Sequence, residues 1–384
     1  MNADTKTAGI ICECNPFHSG HAHLIREARR QSGADFVIAV MSGDFVQRGE
    51  PAVFDKYTRT RQALEGGADI VFELPVRFSL SSAGDFALGG VLALQTLGVV
   101  TDLFFGSECG DLAPLMEAAD ILYKETADYR ELLQDALRSG LSFPAARALA
   151  LSRVCTLDHS ILEQPNNILG IEYCRAILTL KAPIAPHTIP RVGQGYNESG
   201  FPDAAHPSAT ALRRQIYLSE TPHLCLNDCS EIIGYTLLKH KTENMPLDKY
   251  KDVSPELAAR IYNQLDSYYN ITEFIRTCQT RTVTESRIRR ALLQAVLELS
   301  DTDISMPYLR LLGIKKEAGR FLKSMPDHRV KILRKLASDV KTLNEKEASL
   351  LEKDLLASGW YRQMWRRKYA EPTPNEYQRP VIVC

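Results

Sequence analysis

Three absences narrow the reading of this sequence. Its nine cysteines, at positions 12, 14, 109, 155, 174, 225, 229, 278 and 384, form no C-x-x-C pair. Zinc-finger and thioredoxin chemistry therefore find little support, and an odd count at irregular spacing is no disulfide framework. No apolar run approaches the roughly 18 residues that a membrane span requires. The first seven residues are polar or small and do not read as a signal peptide. Internal repeats, low-complexity tracts and a long Pro/Ser/Gly linker are also missing. The expectation is a soluble, cytoplasmic protein that keeps its thiols reduced.

What is present is ordinary globular material. The 384 residues are 45% hydrophobic and 24% charged, enough for a core that needs no cross-links and long enough for two domains. The net charge of −1 hides an asymmetry. Residues 221–384 hold 27 Lys and Arg against 21 Asp and Glu, while residues 1–220 hold 19 against 26. Within 281–368 the count is 20 basic to 11 acidic. Such a stripe suits a polyanion, although a set of solvated helix faces produces the same count.

Strand and helix signals alternate through the first half. Ala8–Cys14 is a nearly continuous apolar run, as a strand buried on both faces requires. Helical spacing follows from His21 to Arg30, closed by Gly33. Phe36–Met41, Asp69–Leu74, Asp102–Phe105 and His187–Val192 read as further strands, with helices over Thr58–Leu64, Asp85–Leu97, 111–150, Ile168–Leu180 and Ala209–Leu218. This order predicts an α/β fold: a Rossmann-like parallel sheet covered on both faces. After residue 220 helical spacing dominates, and it is read also at Tyr308–Leu312, Lys315–Leu322 and Val330–Val340. The expected division is an α/β domain over 1–220 and an all-helical, basic domain over 221–384.

In open parallel sheets, ligands bind beyond the carboxyl ends of the strands, where the strand order reverses. The first such end is Cys14-Asn15-Pro16, followed at once by a helix whose free N–H groups and positive dipole end favour phosphate. His18 and His21, three apart, face one side of its first turn, and Gly20 lets backbone approach a ligand. Two imidazoles there suit polyphosphate oxygens and the charge that develops on departing pyrophosphate. The HxxH spacing does not complete a metal set, so no metal ligands are assigned.

The segment NPFHSGH (15–21) resembles the HxGH signature of the nucleotidyltransferase superfamily. With MSGDFVQRGEPAVFDKYTRTRQAL (41–64), DIVFELP (69–75), FFGSE (104–108), PNNILGIEY (165–173), HTIPRVGQGY (187–196) and PSATALRR (207–214), it is similar to the tRNA(Met) cytidine acetate ligase family. TESRIRRALLQ (284–294) and YLRLLGIKKEAGRFLK (308–323) extend the likeness into the second half. The resemblance implies ATP-dependent activation of acetate as acetyl-adenylate. It further implies acetyl transfer to N4 of the wobble cytidine of elongator tRNA(Met).

The resemblance also implies roles. His18 and His21 would be catalytic, at the phosphates, within an ATP-lining stretch of Ile11, Cys12, Glu13, Cys14, Asn15, Pro16, Phe17, Ser19, Gly20 and Leu24. Gly106, Asn167 (with Asn166 as its rival), Arg191, Ser208, Thr210 and Arg213 would complete the ATP site. Ser42, Gly43 and Asp44 would form the acyl pocket, where the carboxylate of Asp44 departs from an uncharged polar residue in the family. Arg287, Arg289 and Arg290, with Lys315, Lys316 and Arg320, are the candidate RNA contacts, Arg48 being open to acetate, to RNA or to a simple pair with Glu50. Mg2+ is expected to travel with ATP. The base for the transfer step stays unassigned. Two other readings remain: a small-molecule adenylyltransferase of the same superfamily, and a non-catalytic nucleotide- and RNA-binding protein.

Overall fold

The computed structural model describes residues 5–191, 209–300, 304–325 and 330–384. The Ala8–Cys14 run becomes strand β1 (Thr7–Cys12), buried along its whole length. β2 (Phe36–Ser42) pairs parallel to it in register from Thr7↔Phe36 to Cys12↔Met41. A short hairpin, β3 (Phe45–Val46) and β4 (Glu50–Pro51), follows and stands apart from the main sheet. β5 (Ile70–Leu74) extends the sheet beyond β2, whereas β6 (Asp102–Ser107) pairs with the other side of β1 and β7 (Ala185–Pro190) with β6, all parallel. The strand order therefore reverses at β1, and the crevice between the carboxyl ends of β1 and β6 is the topological switch point.

Helix α1 (Ser19–Ser32) follows β1 and ends at Gly33 in the left-handed conformation. Helix α2 (Lys56–Glu65) follows the hairpin, its N-terminus capped by Asp55, whose side chain accepts the Thr58 N–H. On the opposite face, the helices Ala83–Leu97 and Pro165–Leu180 pack together over a core that includes Ile11, Ile38, Phe72, Phe105 and Ile171. Burying side chains of that size contributes about 1.5–3 kcal/mol each, which is why the strands are apolar at nearly every position.

Helices dominate from Leu226 to Leu297, around a separate core of Leu237, Ile261, Phe274, Ile288 and Leu292. The α/β class with a mostly parallel sheet and a helical portion is as expected. Two expected helices are corrected. Tyr308–Leu312 lies in strand β8 (Tyr308–Ile314), which adds antiparallel to the outer edge of β5. Val330–Val340 begins as β9 (Lys331–Leu333), with only Leu336–Asp339 as an α-helix. β9 and the carboxyl-terminal β10 (Ile382–Val383) both pair with β8. The apolar run YLRLLGI is buried at all seven positions, and a run buried on every side carries no period to tell strand from helix. Helix Glu345–Tyr369 then spans 25 residues and packs Trp360 against Phe45 of the hairpin, with ring centroids 5.0 Å apart.

Candidate functional site

The chain leaves β1 through Glu13, Cys14 (φ 50°) and Asn15, and enters α1 through a cis Asn15-Pro16 bond. This turn is fixed from both sides. The Asn15 side-chain oxygen accepts the Val53 N–H at 2.8 Å, and its carbonyl accepts Arg213 Nη1 at 2.7 Å. Buried Arg59 of α2 donates to the carbonyls of Glu13, Ser42, Gly43 and Phe54, so it ties together the carboxyl ends of β1 and β2.

His18 is the N-cap of α1 and His21 its third residue, and each caps for the other. The Gly20 N–H donates to His18 Nδ1 at 3.0 Å, and the His18 N–H donates to His21 Nδ1 at 3.2 Å. An imidazole nitrogen that accepts a hydrogen bond carries no proton, so both neutral rings hold theirs on Nε2. The rings lie with centroids 4.0 Å apart. Burial, with the neighbouring His18 and Arg191, holds His21 well below the usual imidazole range. The pair is thus a fixed set of neutral N–H donors at a helix N-terminus. A Cβ at Gly20 would sit 2.8 Å from the His18 ring.

These residues border an open cleft of about 1600 Å³. Of the expected ATP residues, Ile11, Cys12, Glu13, Cys14, Asn15, His18, His21, Leu24, Gly106, Arg191, Thr210 and Arg213 line it. Pro16, Phe17, Ser19 and Gly20 shape the turn without lining it. Ser208 lies outside the described residues. On the β6 side, Glu108 receives the N–H groups of Asn166 and Asn167 and so caps the helix Pro165–Leu180. Asn167 is fully buried; its oxygen accepts the Glu108 and Cys109 N–H groups and its amide donates to Ile161 and Gln164. Asn166 is the one that lines the cleft, and it holds Arg191 Nη1 at 3.1 Å.

Arg213 is buried, with Nη2 donating to the Thr210 hydroxyl at 3.1 Å and Nε 3.6 Å from Glu50. It braces the β1–α1 turn. Glu50 also pairs with Arg289 at 3.3 Å, which leaves Arg48 exposed on the cleft wall. Glu13 is half-buried, and burial raises its carboxyl above the usual range. Its Oε1 accepts the Gln47 N–H at 2.6 Å. Cys14 Sγ stands 3.4 Å from Cys12 Sγ, and that contact, with burial, keeps the Cys12 thiol protonated.

Ser42, Gly43 and Asp44 do not line this cleft. Asp44 is buried and accepts the Lys56 N–H at 2.9 Å, beside a separate hollow of about 80 Å³. Burial lifts its carboxyl. Behind it, fully buried Lys56 Nζ meets Glu73 at 2.7 Å, Glu376 at 2.9 Å and Ser358 at 2.7 Å, and Arg310 pairs with Glu376. Burial pushes Glu73 up to about 7; against the same burial, Lys56 and Arg310 hold Glu376 down to about 2.

The two basic clusters part company. Arg287, Arg289 and Arg290 line the cleft. Arg290 is buried and bonded to Asp252 at 2.9 Å and to the Gln47 carbonyl at 3.3 Å. Gly49, at φ 76°, allows the hairpin to rest on the helix Glu285–Leu297, since a Cβ would meet the Arg290 backbone nitrogen at 2.7 Å. Lys315 and Lys316 follow Ile314, which pairs with Ile70 at the amino end of β5. Lys315 and Lys316 therefore lie at the amino-end side of the parallel strands, away from the histidines at the carboxyl end of β1, and Arg320 follows them, exposed. Sequence reasoning missed Arg59, Lys56, Arg310 and Glu376. Their partners come from distant segments, and nothing local marks them as buried.

Residues 5–376 match the HIGH Nucleotidyl Transferase family. The chain is 33% identical to the tRNA(Met) cytidine acetate ligase of Fervidobacterium nodosum, with 98% of this chain and 99% of that protein covered. With the enzyme of the same name from Caldicellulosiruptor saccharolyticus it shares 36% identity over 95% of each. A crystal structure of Thermotoga maritima TmcAL bound with alpha-thio ATP superposes with a TM-score of 0.84, at 29% identity and 99% coverage of both chains.

Proposed function

Because this chain belongs to the tRNA(Met) cytidine acetate ligase family of HIGH nucleotidyltransferases, we propose that its cleft performs that ligase reaction on ATP, acetate and elongator tRNA(Met). The observation that carries the reading is the reciprocal histidine cap of α1 at the switch point between β1 and β6.

In the first step an acetate oxygen attacks the α-phosphorus of ATP and pyrophosphate leaves. Acetate is already ionised at neutral pH, so this step needs no base. Negative charge grows on the leaving phosphates, and the two Nε2–H groups, beside the positive end of α1, are donors fixed in advance of that change. A neutral His21 donates without adding a titrating charge. Arg191, held by Asn166, supplies cationic support from the β7 side, while Arg213 and Thr210 act by holding the turn in shape. Asn166, rather than buried Asn167, is the residue proposed to meet the nucleotide. No group of three or more His, Cys, Asp or Glu among the described residues is arranged to hold a metal; Mg2+ is therefore assigned to the polyphosphate of the substrate.

In the second step the cytidine N4 amine takes the acetyl group and AMP leaves. RNA is proposed to approach from the side of Arg48, Arg287 and Arg289, which share the cleft with the histidines. Ser42, Gly43 and Asp44 are buried and do not line the cleft, and acetate is proposed to bind on the cleft side of the hairpin, near Gln47 and Arg48. No described helix is long and apolar enough to cross a membrane. The test is acetate-dependent exchange of labelled pyrophosphate into ATP, followed by detection of N4-acetylcytidine in added tRNA(Met). Exchange without acetate, or none at all, would overturn the proposal.

A further inference from the structure

We propose, resting on the acetyl-transfer reading above, that Glu13 is the general base of the second step and that its Oε2 takes the proton from the cytidine amine. In that step the N4–carbonyl bond forms and the bond from the carbonyl carbon to the phosphate oxygen breaks. AMP leaves with the bonding pair, and one N4 proton has to pass to an acceptor. The acceptor needs an unused lone pair beside the carboxyl end of β1.

The histidines and, Glu125 apart, the other carboxylates that line the cleft are already committed. Both histidines use their Nδ1 lone pairs on backbone N–H groups and carry hydrogen on Nε2. Glu108 caps a helix with both oxygens. Glu172 is buried between Arg147 and Arg175. Asp252 holds Arg290 and Gln294, and Asp85 pairs with Lys251 at 3.5 Å. Glu285 pairs with Arg289, and Glu125 is an exposed helix C-cap.

Glu13 differs from all of these. It follows β1 directly, and its Oε1 is anchored by the Gln47 N–H at 2.6 Å. Its Oε2 has no partner among the described residues, and the side chain lines the cleft. One oxygen tethered and one open is the arrangement of a carboxylate aimed in advance. Burial makes it a stronger proton acceptor than a free carboxylate, with Glu50 acting in the same direction and Arg48 and Arg213 opposing. The Gln47 carbonyl in turn accepts Arg290, so the base is linked through the hairpin to the helix that carries the cleft-side arginines.

The test is Glu13→Gln in the full chain, assayed with tRNA(Met) transcript. Glutamine keeps an oxygen for the Gln47 N–H, so melting should match wild type. Single-turnover acetyl transfer should fall roughly 10²–10⁴-fold, the usual yield of general base catalysis, and at least about tenfold more than acetate-dependent pyrophosphate exchange. The acid limb of the transfer pH profile should vanish, and Glu13→Asp should restore part of the rate. Wild-type transfer in Glu13→Gln, or a parallel loss of exchange and transfer, would overturn the assignment. Absent exchange in the wild type would instead sink the ligase reading and the inference with it.

Discussion

His18 and His21 hold one another in place: the first caps α1 through Gly20, and the second accepts the backbone N–H of the first at 3.2 Å. Each ring is therefore both structural support and proposed phosphate donor. A single substitution should show both roles. His21→Ala is expected to lower pyrophosphate exchange by about 10²–10³-fold, in line with the removal of one preorganised donor. It should also cost about 1 kcal/mol of stability through removal of the cap. Exchange assays and urea melts check the two effects, and full exchange in the variant would refute the catalytic role.

The same ring makes a pH prediction. His21 is neutral in the fold because burial lowers its pKa, whereas the unfolded chain titrates at about 6.5. Below that value the unfolded state binds the extra proton, so this group's contribution is intact above pH 6.5 and declines as pH falls toward the native pKa. Denaturation from about pH 7 to pH 5 should show a stability loss that is smaller in His21→Gln. Equal slopes in both proteins would remove His21 as the cause.

Lys56 lies fully buried among Glu73, Glu376 and Ser358. Lys56→Met should cost about 3–5 kcal/mol, because it takes away the cation that buried Glu73 faces at 2.7 Å. Glu73 already takes a proton near pH 7, so mild acid should soften the penalty. A calorimetric series at pH 6 and pH 8 checks the direction; a penalty unchanged by acid would contradict it.

Replacing Arg48 and Arg287 with alanine should flatten the salt dependence of tRNA binding, by roughly 0.7–0.9 in log–log slope for each phosphate that is no longer neutralised. The Lys315, Lys316 and Arg320 group follows β8 at the amino-end side of the parallel strands, and its triple alanine variant should leave the slope near wild type. The reverse result would move the RNA to that side.

The sequence carried the β1–α1 turn openly. An apolar run, a spacing of three and a helical pattern place His18 and His21 where the strand order reverses. Helix α2 was harder to read: KYTRTRQALE looks like a solvated surface, yet Lys56, Arg59 and Thr60 are wholly buried. Their burial depends on Ser358, Glu376 and the carbonyls of two strand ends, none of them near in sequence. Asp44 shows the complementary limit. Its position at a strand's carboxyl end was legible, but the direction of its side chain follows from the turn that brings it onto Lys56.

The arrival of β8 on β5 has a practical outcome. The outermost parallel strand is completed only by residues translated long after it, and β10 seals that newcomer in turn. A protein cut after residue 220 would present β5 as a bare row of N–H and C=O groups, a template for self-association. The nucleotide-handling half is thus not a portable module. Anyone exchanging parts between relatives of this enzyme would need to move the late strand along with the early ones.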